Sequence, residues 1–161
     1  MSITAITIEN FKAIKEPVRI ELKPITLLFG PNSAGKSTII QALHYAREIF
    51  ERQNLNPDRT LLGGETIDLG GFESLVHGHN LNLPIRLKFE LDLSHEDLPR
   101  YLEGYEDLGL IDWQQSELWD VPTRAQNAWT QIEVCWNTLL EKPLLTSYQI
   151  GINGFHLAKI T

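Results

Sequence analysis

The chain has 161 residues, 42% hydrophobic and 22% charged, a balance that suits one soluble domain with a core of its own. A formal charge of −7 argues against a strongly basic nucleic-acid platform, and Cys135, the single cysteine, excludes both an intramolecular disulfide and a thiol zinc cluster. No run approaches the roughly 18 apolar residues of a membrane span, and the first residues lack the basic-then-apolar pattern of a targeting segment, so the cytoplasm is the expected location.

Taken in chain order, residues 3 to 9 and 18 to 23 predict two strands. Ile6 and Ile8 alternate with Thr7 and Glu9, and Val18, Ile20 and Leu22 alternate with Arg19, Glu21 and Lys23. Glu16-Pro17 and Lys23-Pro24 mark breaks, since proline has no N–H to give a ladder. The run Ile25-Thr26-Leu27-Leu28-Phe29 is almost continuously apolar, which predicts a strand buried on both faces of a central sheet.

Gly30-Pro31-Asn32-Ser33-Ala34-Gly35-Lys36-Ser37-Thr38 follows at once and matches G-x-x-x-x-G-K-[ST] in full. This spacing lets a glycine-rich loop wrap its backbone N–H groups around a polyphosphate, while the lysine reaches the outer phosphates and the hydroxyl a Mg²⁺. Ile39, Leu43, Ala46 and Phe50 then recur at helical spacing through about Arg52. The helix N-terminus, with its free N–H groups and its dipole, would face the anion. Strand, loop and helix stand in the order that the motif requires, so the chain reads as a nucleotide-binding protein.

Asn54 through Asp58 predicts a turn, and Gly63-Gly64 and Gly70-Gly71 bracket a short strand over residues 65 to 69. Ile85, Leu87, Phe89, Leu91 and Leu93 alternate with Arg86, Lys88, Glu90, Asp92 and Ser94, a half-buried antiparallel pattern. Residues 95 to 125 are acidic and mixed, and predict one or two short helices with loops. Ile132, Val134 and Trp136 alternate with polar neighbours, as do Tyr148, Ile150 and Ile152. Asn153-Gly154 is a hairpin turn leading to a last strand from His156 to Ile160. A doubly wound domain would continue strand, helix, strand after its phosphate loop; this chain switches to consecutive hairpins.

At this point the chain resembles the N-terminal lobe of an ABC-type ATPase head, of the SMC-like, RecF-like and OLD-like branch of AAA family ATPases. Three segments carry the resemblance: Ile6-Thr7-Ile8-Glu9-Asn10-Phe11-Lys12, the stretch from Ile25 through Thr38, and Ile67 through Gly78. It covers residues 1 to 93 well and the later strands only in general character. It implies an α/β fold of α+β character, with a mixed sheet, the loop helix and then antiparallel strands. The expected division is one partial ATPase domain, with a core lobe over 1–93, an acidic helical or loop insertion over 94–128 and antiparallel strands over 129–161.

The resemblance also implies ATP and Mg²⁺ as ligands. Gly30 through Thr38 would bind the nucleotide, with Ser37 as the metal ligand and Lys12 at the α-phosphate or base. A homodimer of the full head is implied, as is a link to DNA maintenance or phage defence, with nucleic acid reached only through the full protein. A Walker B strand ending in Asp-Glu, a signature loop and a switch histidine are missing from the sequence. Asp92 and Glu133 lie on polar strand faces, and Glu106-Asp107 follows no apolar run. The lobe is therefore expected to hold nucleotide but to need a second lobe or a partner chain for hydrolysis, with no catalytic residue of its own beyond Lys36. The alternative is a non-catalytic interaction module whose docking surface is stabilised by nucleotide.

Other residues point less far. Gln41 and Gln53 lie on or just past the loop helix, where no γ-phosphate-sensing glutamine is expected; Asp68 and Gly70 are near where one would fall. His77 and His79 lack a third metal ligand nearby. The tryptophans at 113, 119, 129 and 136 suit packing better than base stacking in so acidic a setting. Cys135 has no activating neighbour in sequence.

Overall fold

The computed structural model describes residues 2–32, 35–56, 69–94 and 125–161. The strands are β1 (Ser2–Glu9), β2 (Val18–Glu21), β3 (Ile85–Asp92), β4 (Asn127–Asn137), β5 (Lys142–Ile152) and β6 (Phe155–Ile160). Helix α1 spans Lys36–Arg52, and a short α2 spans Gly71–Leu75 and runs into a 3₁₀ turn at His77–His79. The strands form one six-stranded sheet in the order β2-β1-β3-β4-β5-β6.

Register follows from the apolar alternation, because slipping by one residue would turn a buried face to water. Leu87 lies between Ile8 and Ile132, and Phe89 between Ile6 and Thr130. Ile6, Ile8, Ile85, Leu87, Ile132 and Val134 are all buried on this face. A bulge between Ile3 and Ala5 breaks the alternation in β1, so that Ala5 and Ile6 are both buried. Helix α1 covers the face with Ala42, Tyr45, Ala46 and Ile49, and the Phe50 ring meets Phe89 edge-on at 6.0 Å. Val76 and the α2 residues Phe72 and Leu75 complete the cluster, with Phe72 stacked on Trp136 at 6.0 Å.

The opposite face is wet and is organised by cross-strand ion pairs. Arg86 Nη1 donates to Glu9 at 2.8 Å and its Nε to Glu133 at 2.6 Å, along one row of β1, β3 and β4. Arg19 holds Glu90 with two hydrogen bonds of 2.9 and 2.7 Å and also reaches Glu21. Lys88 Nζ sits 4.8 Å from the centre of the Trp129 ring. These pairings account for Glu133, read from the sequence as no metal carboxylate.

Several expected elements are present. The loop helix ends at Arg52, where Gln53 adopts a left-handed conformation at φ 53°. Asn153 and Gly154 both have positive φ, 49° and 82°, as a two-residue hairpin turn demands. The segment 65–68, the last two residues of the 54–58 turn and residues 95–124 of the acidic stretch lie outside the described residues.

The clearest departure concerns residues 25 to 29. They form no strand and are not buried: Ile25 is 81%, Leu27 69% and Phe29 86% exposed. The physical reason is a missing neighbour. A segment apolar on both faces gains from strand structure only when other strands flank it and layers cover it. Among the described residues the sheet stops at β2, and the Thr26 hydroxyl accepts the Lys23 N–H in a local turn at 2.9 Å. For the same reason the expected mixed sheet is antiparallel at every described pairing.

Gly151 makes a sharp test of the packing. A Cβ there would collide with the Trp129 indole and, at 2.5 Å, with the backbone carbonyl of Phe155. Gly151→Ala is expected to lower stability by about 1–3 kcal/mol in urea unfolding; an unchanged midpoint would contradict this strand register. A second test concerns acid. Hydrogen bonds from Arg19, helped by its charge, hold the Glu90 carboxyl below its ordinary pKa of 4.5. The pair therefore stabilises fully above that ordinary value, and the contribution fades as the pH falls through the lower, folded one. Arg19→Met should accordingly lose less stability than the parent chain between pH 7 and about pH 3. Equal losses in both chains would argue against the pair.

Candidate phosphate-binding site

The site begins with a helix that no side chain caps. Gly35, at φ 84°, occupies the capping position of α1, and the first turn carries no acidic residue. The positive end of the helix dipole is thus left for an external anion. Gly30 is likewise at positive φ, 147°, where a side chain would strain the entry to the loop. Lys36 Nζ donates to the carbonyls of Gly30 and Pro31 at 2.8 and 2.7 Å, so its ammonium is held over the loop. The Thr38 N–H returns to Gly35 O at 3.1 Å, and Thr38 is buried under the first turn.

Lys12 arrives from a different part of the chain. Past β1 the backbone makes a tight turn in which Phe11 and Ile14 exchange hydrogen bonds of 2.8 and 2.9 Å. Asn10 and Lys12 both take left-handed backbone angles there, φ 54° and 49°. Three contacts hold the turn. Phe11 is fully buried and stacks on Tyr45 of α1 at 5.9 Å. The Asn10 side chain donates to Pro84 O at 3.0 Å, and the Lys12 N–H donates to Leu75 O at 2.6 Å. Tyr45 in turn donates its hydroxyl to Leu55 O at 2.9 Å, and burial raises its phenol well above the usual pKa.

Together these segments enclose a cavity of about 350 Å³ lined by Lys12, Ala13, Asn32, Gly35, Lys36, Ser37 and Thr38. Among the described residues two lysines line it and no carboxylate does. A space with two cations, a hydroxyl and a helix N-terminus favours a polyanion on charge alone. Sequence reasoning had joined Lys12 to the loop through the family resemblance, and the structure brings the two into one cavity. Ser33 and Ala34 lie outside the described residues.

The remaining candidates sort by their partners. His77 Nδ1 donates to Lys12 O at 2.7 Å and His79 Nδ1 to Glu73 O at 2.9 Å; a carbonyl only accepts, so both nitrogens carry the proton. Among the described residues no cluster of three His, Cys, Asp or Glu could hold a metal. Gln53 ends α1, and Gly70 opens α2 at φ 74°; Asp68 lies outside the described residues. Cys135 Sγ lies 3.3 Å from the Thr146 hydroxyl on the wet face. Trp136 packs on the core, whereas Trp129 lies on the wet face beside His156. Sequence reasoning missed Ala13 as a wall of the cavity, and it gave no hint of the bond from His77 to a carbonyl 65 positions away.

No helix among the described residues is long and apolar enough to cross a membrane. A profile of the AAA ATPase domain family matches residues 1–103, a stretch that contains β1 to β3, the loop and both helices. The DNA replication and repair protein RecF of Chlorobium phaeobacteroides (strain BS1) is 37% identical over 126 residues, which cover 73% of this chain and 34% of RecF. The chain thus spans about a third of the length of that relative. By the match over its first 103 residues, and by the loop, helix and Lys12 turn within them, the chain belongs to the AAA ATPase domain family, as an N-terminal lobe of the ABC type.

Proposed function

We propose that this lobe binds ATP with Mg²⁺ in the cavity between the Lys12 turn and the start of α1. The backbone N–H groups from Asn32 through Ser37 cradle the phosphates, Lys36 neutralises the β and γ charge, and Ser37 offers its hydroxyl to the metal. Lys12 contacts the nucleotide from the second wall. The carrying observation is the lining itself: a loop lysine, a second lysine, a hydroxyl and an uncapped helix N-terminus, with no acidic side chain among the described residues. Mg²⁺ there would be held by the Ser37 hydroxyl and would offset the charge of the phosphates.

Hydrolysis needs more than this wall provides. Carboxylates that hold the metal complex and polarise the attacking water are required, and none of the described residues that line the cavity is one. In this reading a second lobe supplies them and also covers residues 25 to 29. Four large apolar side chains exposed in one five-residue run support such a covering surface, since isolated exposed residues are ordinary but contiguous ones mark contacts. The same run also suits the alternative of an interaction module, in which nucleotide only stabilises docking. The two readings part on turnover by the assembled protein. A role in DNA maintenance, reached through the full protein, follows the printed name of the RecF relative; a dimer of heads and a cytoplasmic location follow the family resemblance.

Lys36→Ala is expected to weaken ATP binding at least about tenfold by calorimetry, the scale of one charge-assisted hydrogen bond; unchanged affinity would overturn the site. Phe29→Ser tests the second lobe. Because Phe29 is 86% exposed, thermal unfolding of the 161-residue chain should move little, by the equivalent of about 0.5 kcal/mol or less. ATPase turnover of the longer or assembled protein should fall. Turnover that survives the substitution would count against docking through this run.

A further inference from the structure

His77 is absorbed neither by the core nor by a metal site, yet it makes one of the shortest bonds around the cavity. The backbone of Lys12 is gripped on both sides by one segment: its N–H donates to Leu75 O at 2.6 Å, and its carbonyl accepts from His77 Nδ1 at 2.7 Å. The His77 N–H donates to Asn10 O at 3.0 Å, and Phe11 bridges to Val76. The end of α2 therefore acts as a short extra strand laid along the 10–12 turn. Of these contacts, only the one to the Lys12 carbonyl is made by a side chain, so only it can be deleted without touching backbone pairing.

That bond stands where backbone geometry is least self-supporting. A non-glycine residue at φ 49° sits outside the right-handed form it prefers and is held there by its surroundings. Releasing the carbonyl lets the 12–13 peptide rotate, and the Lys12 ammonium and the Ala13 methyl turn away from the cavity together. The two walls also differ in chemistry. The loop wall offers Lys36, the Ser37 hydroxyl and the helix N-terminus, all suited to phosphate oxygens. The other wall offers one cation beside a small apolar group, which suits the place where a phosphate meets a nucleoside.

Resting on the reading above that the cavity takes a nucleoside triphosphate, we propose that His77 is a positioning residue for the nucleoside end of the site. By holding the Lys12 carbonyl it sets affinity for nucleotide over bare polyphosphate. The bond needs a proton only on Nδ1, which neutral and charged imidazole can both carry.

The test compares ATP and inorganic tripolyphosphate, each with Mg²⁺, by calorimetry on the full chain. His77→Ala is expected to raise the Kd for ATP about tenfold and to leave that for tripolyphosphate within about twofold, the scale of one lost charge-independent bond plus a released turn. His77→Asn, whose amide N–H reaches where Nδ1 lies, is expected to restore the ATP preference. His77→Leu keeps the bulk but not the donor and carries the same expectation as alanine, serving where the alanine variant does not fold. Lys12→Ala combined with His77→Ala should weaken ATP binding no further than Lys12→Ala alone. Equal weakening of both ligands would make the role merely structural and overturn the inference, as would an unchanged ATP affinity or a failure of asparagine to rescue. Tripolyphosphate binding that ignores Lys36→Ala would instead overturn the site reading on which the inference rests.

Discussion

Phe11 stacks on Tyr45 across 5.9 Å, and both rings are fully buried. One belongs to the turn after β1 and the other to the middle of α1, so this contact fixes the helix against the sheet. It also fixes the cavity, because Lys12 follows Phe11 directly and Lys36 opens the helix that carries Tyr45. Val76 reaches the same point through its bridge to Phe11. Three segments distant in sequence thus meet at one aromatic pair. Burial of these two stacked rings contributes several kcal/mol, by about 1.5–3 for each large apolar side chain. A site whose walls came from elements joined only by loops would lose that rigidity.

The charges are arranged as unequally as the packing. The chain carries −7 overall, yet among the described residues the cavity is lined by two lysines and no acid. Much of the acidic charge in the described sheet is spent on the opposite face, where Glu9 and Glu133 share Arg86, and Glu90 and Glu21 share Arg19. The sheet itself and the buried apolar side chains under α1 lie between that face and the helix that the loop opens. At physiological salt, charges farther apart than about 8 Å feel each other weakly. A polyanion at the loop would therefore respond to Lys12, Lys36 and the helix end before it responds to the net charge.

Much of this was legible in the residues, and the failures have physical causes. Ile85 through Leu93 announced β3 because a period of two with charges between specifies both strand and face. The helix after the loop was legible from Ile39, Leu43 and Ala46, and the last hairpin from Asn153-Gly154, whose positive φ angles few other pairs accept. Residues 25 to 29 misled because composition states a demand for burial without saying which segment meets it. The short α2 was invisible at five residues, too few for periodicity, and its first turn is held by the Asn56 side chain, which accepts the Phe72 N–H. As for the site, the loop was plain in its spacing and Lys12 came through resemblance. His77 could not be found from sequence, since a histidine bonding a distant carbonyl has no local pattern.

The left-handed turn at Lys12 has an evolutionary consequence. Its backbone would rest more easily with glycine or asparagine, and in the proposed site its side chain is wanted for charge, so no single residue would satisfy both demands. Drift at this position should be lopsided: arginine is an open neighbour, whereas threonine, valine and isoleucine are closed off by their branched Cβ before charge is even considered. A lineage that abandoned nucleotide would be free to relax the kink with glycine, gaining robustness at the moment that it lost its ligand.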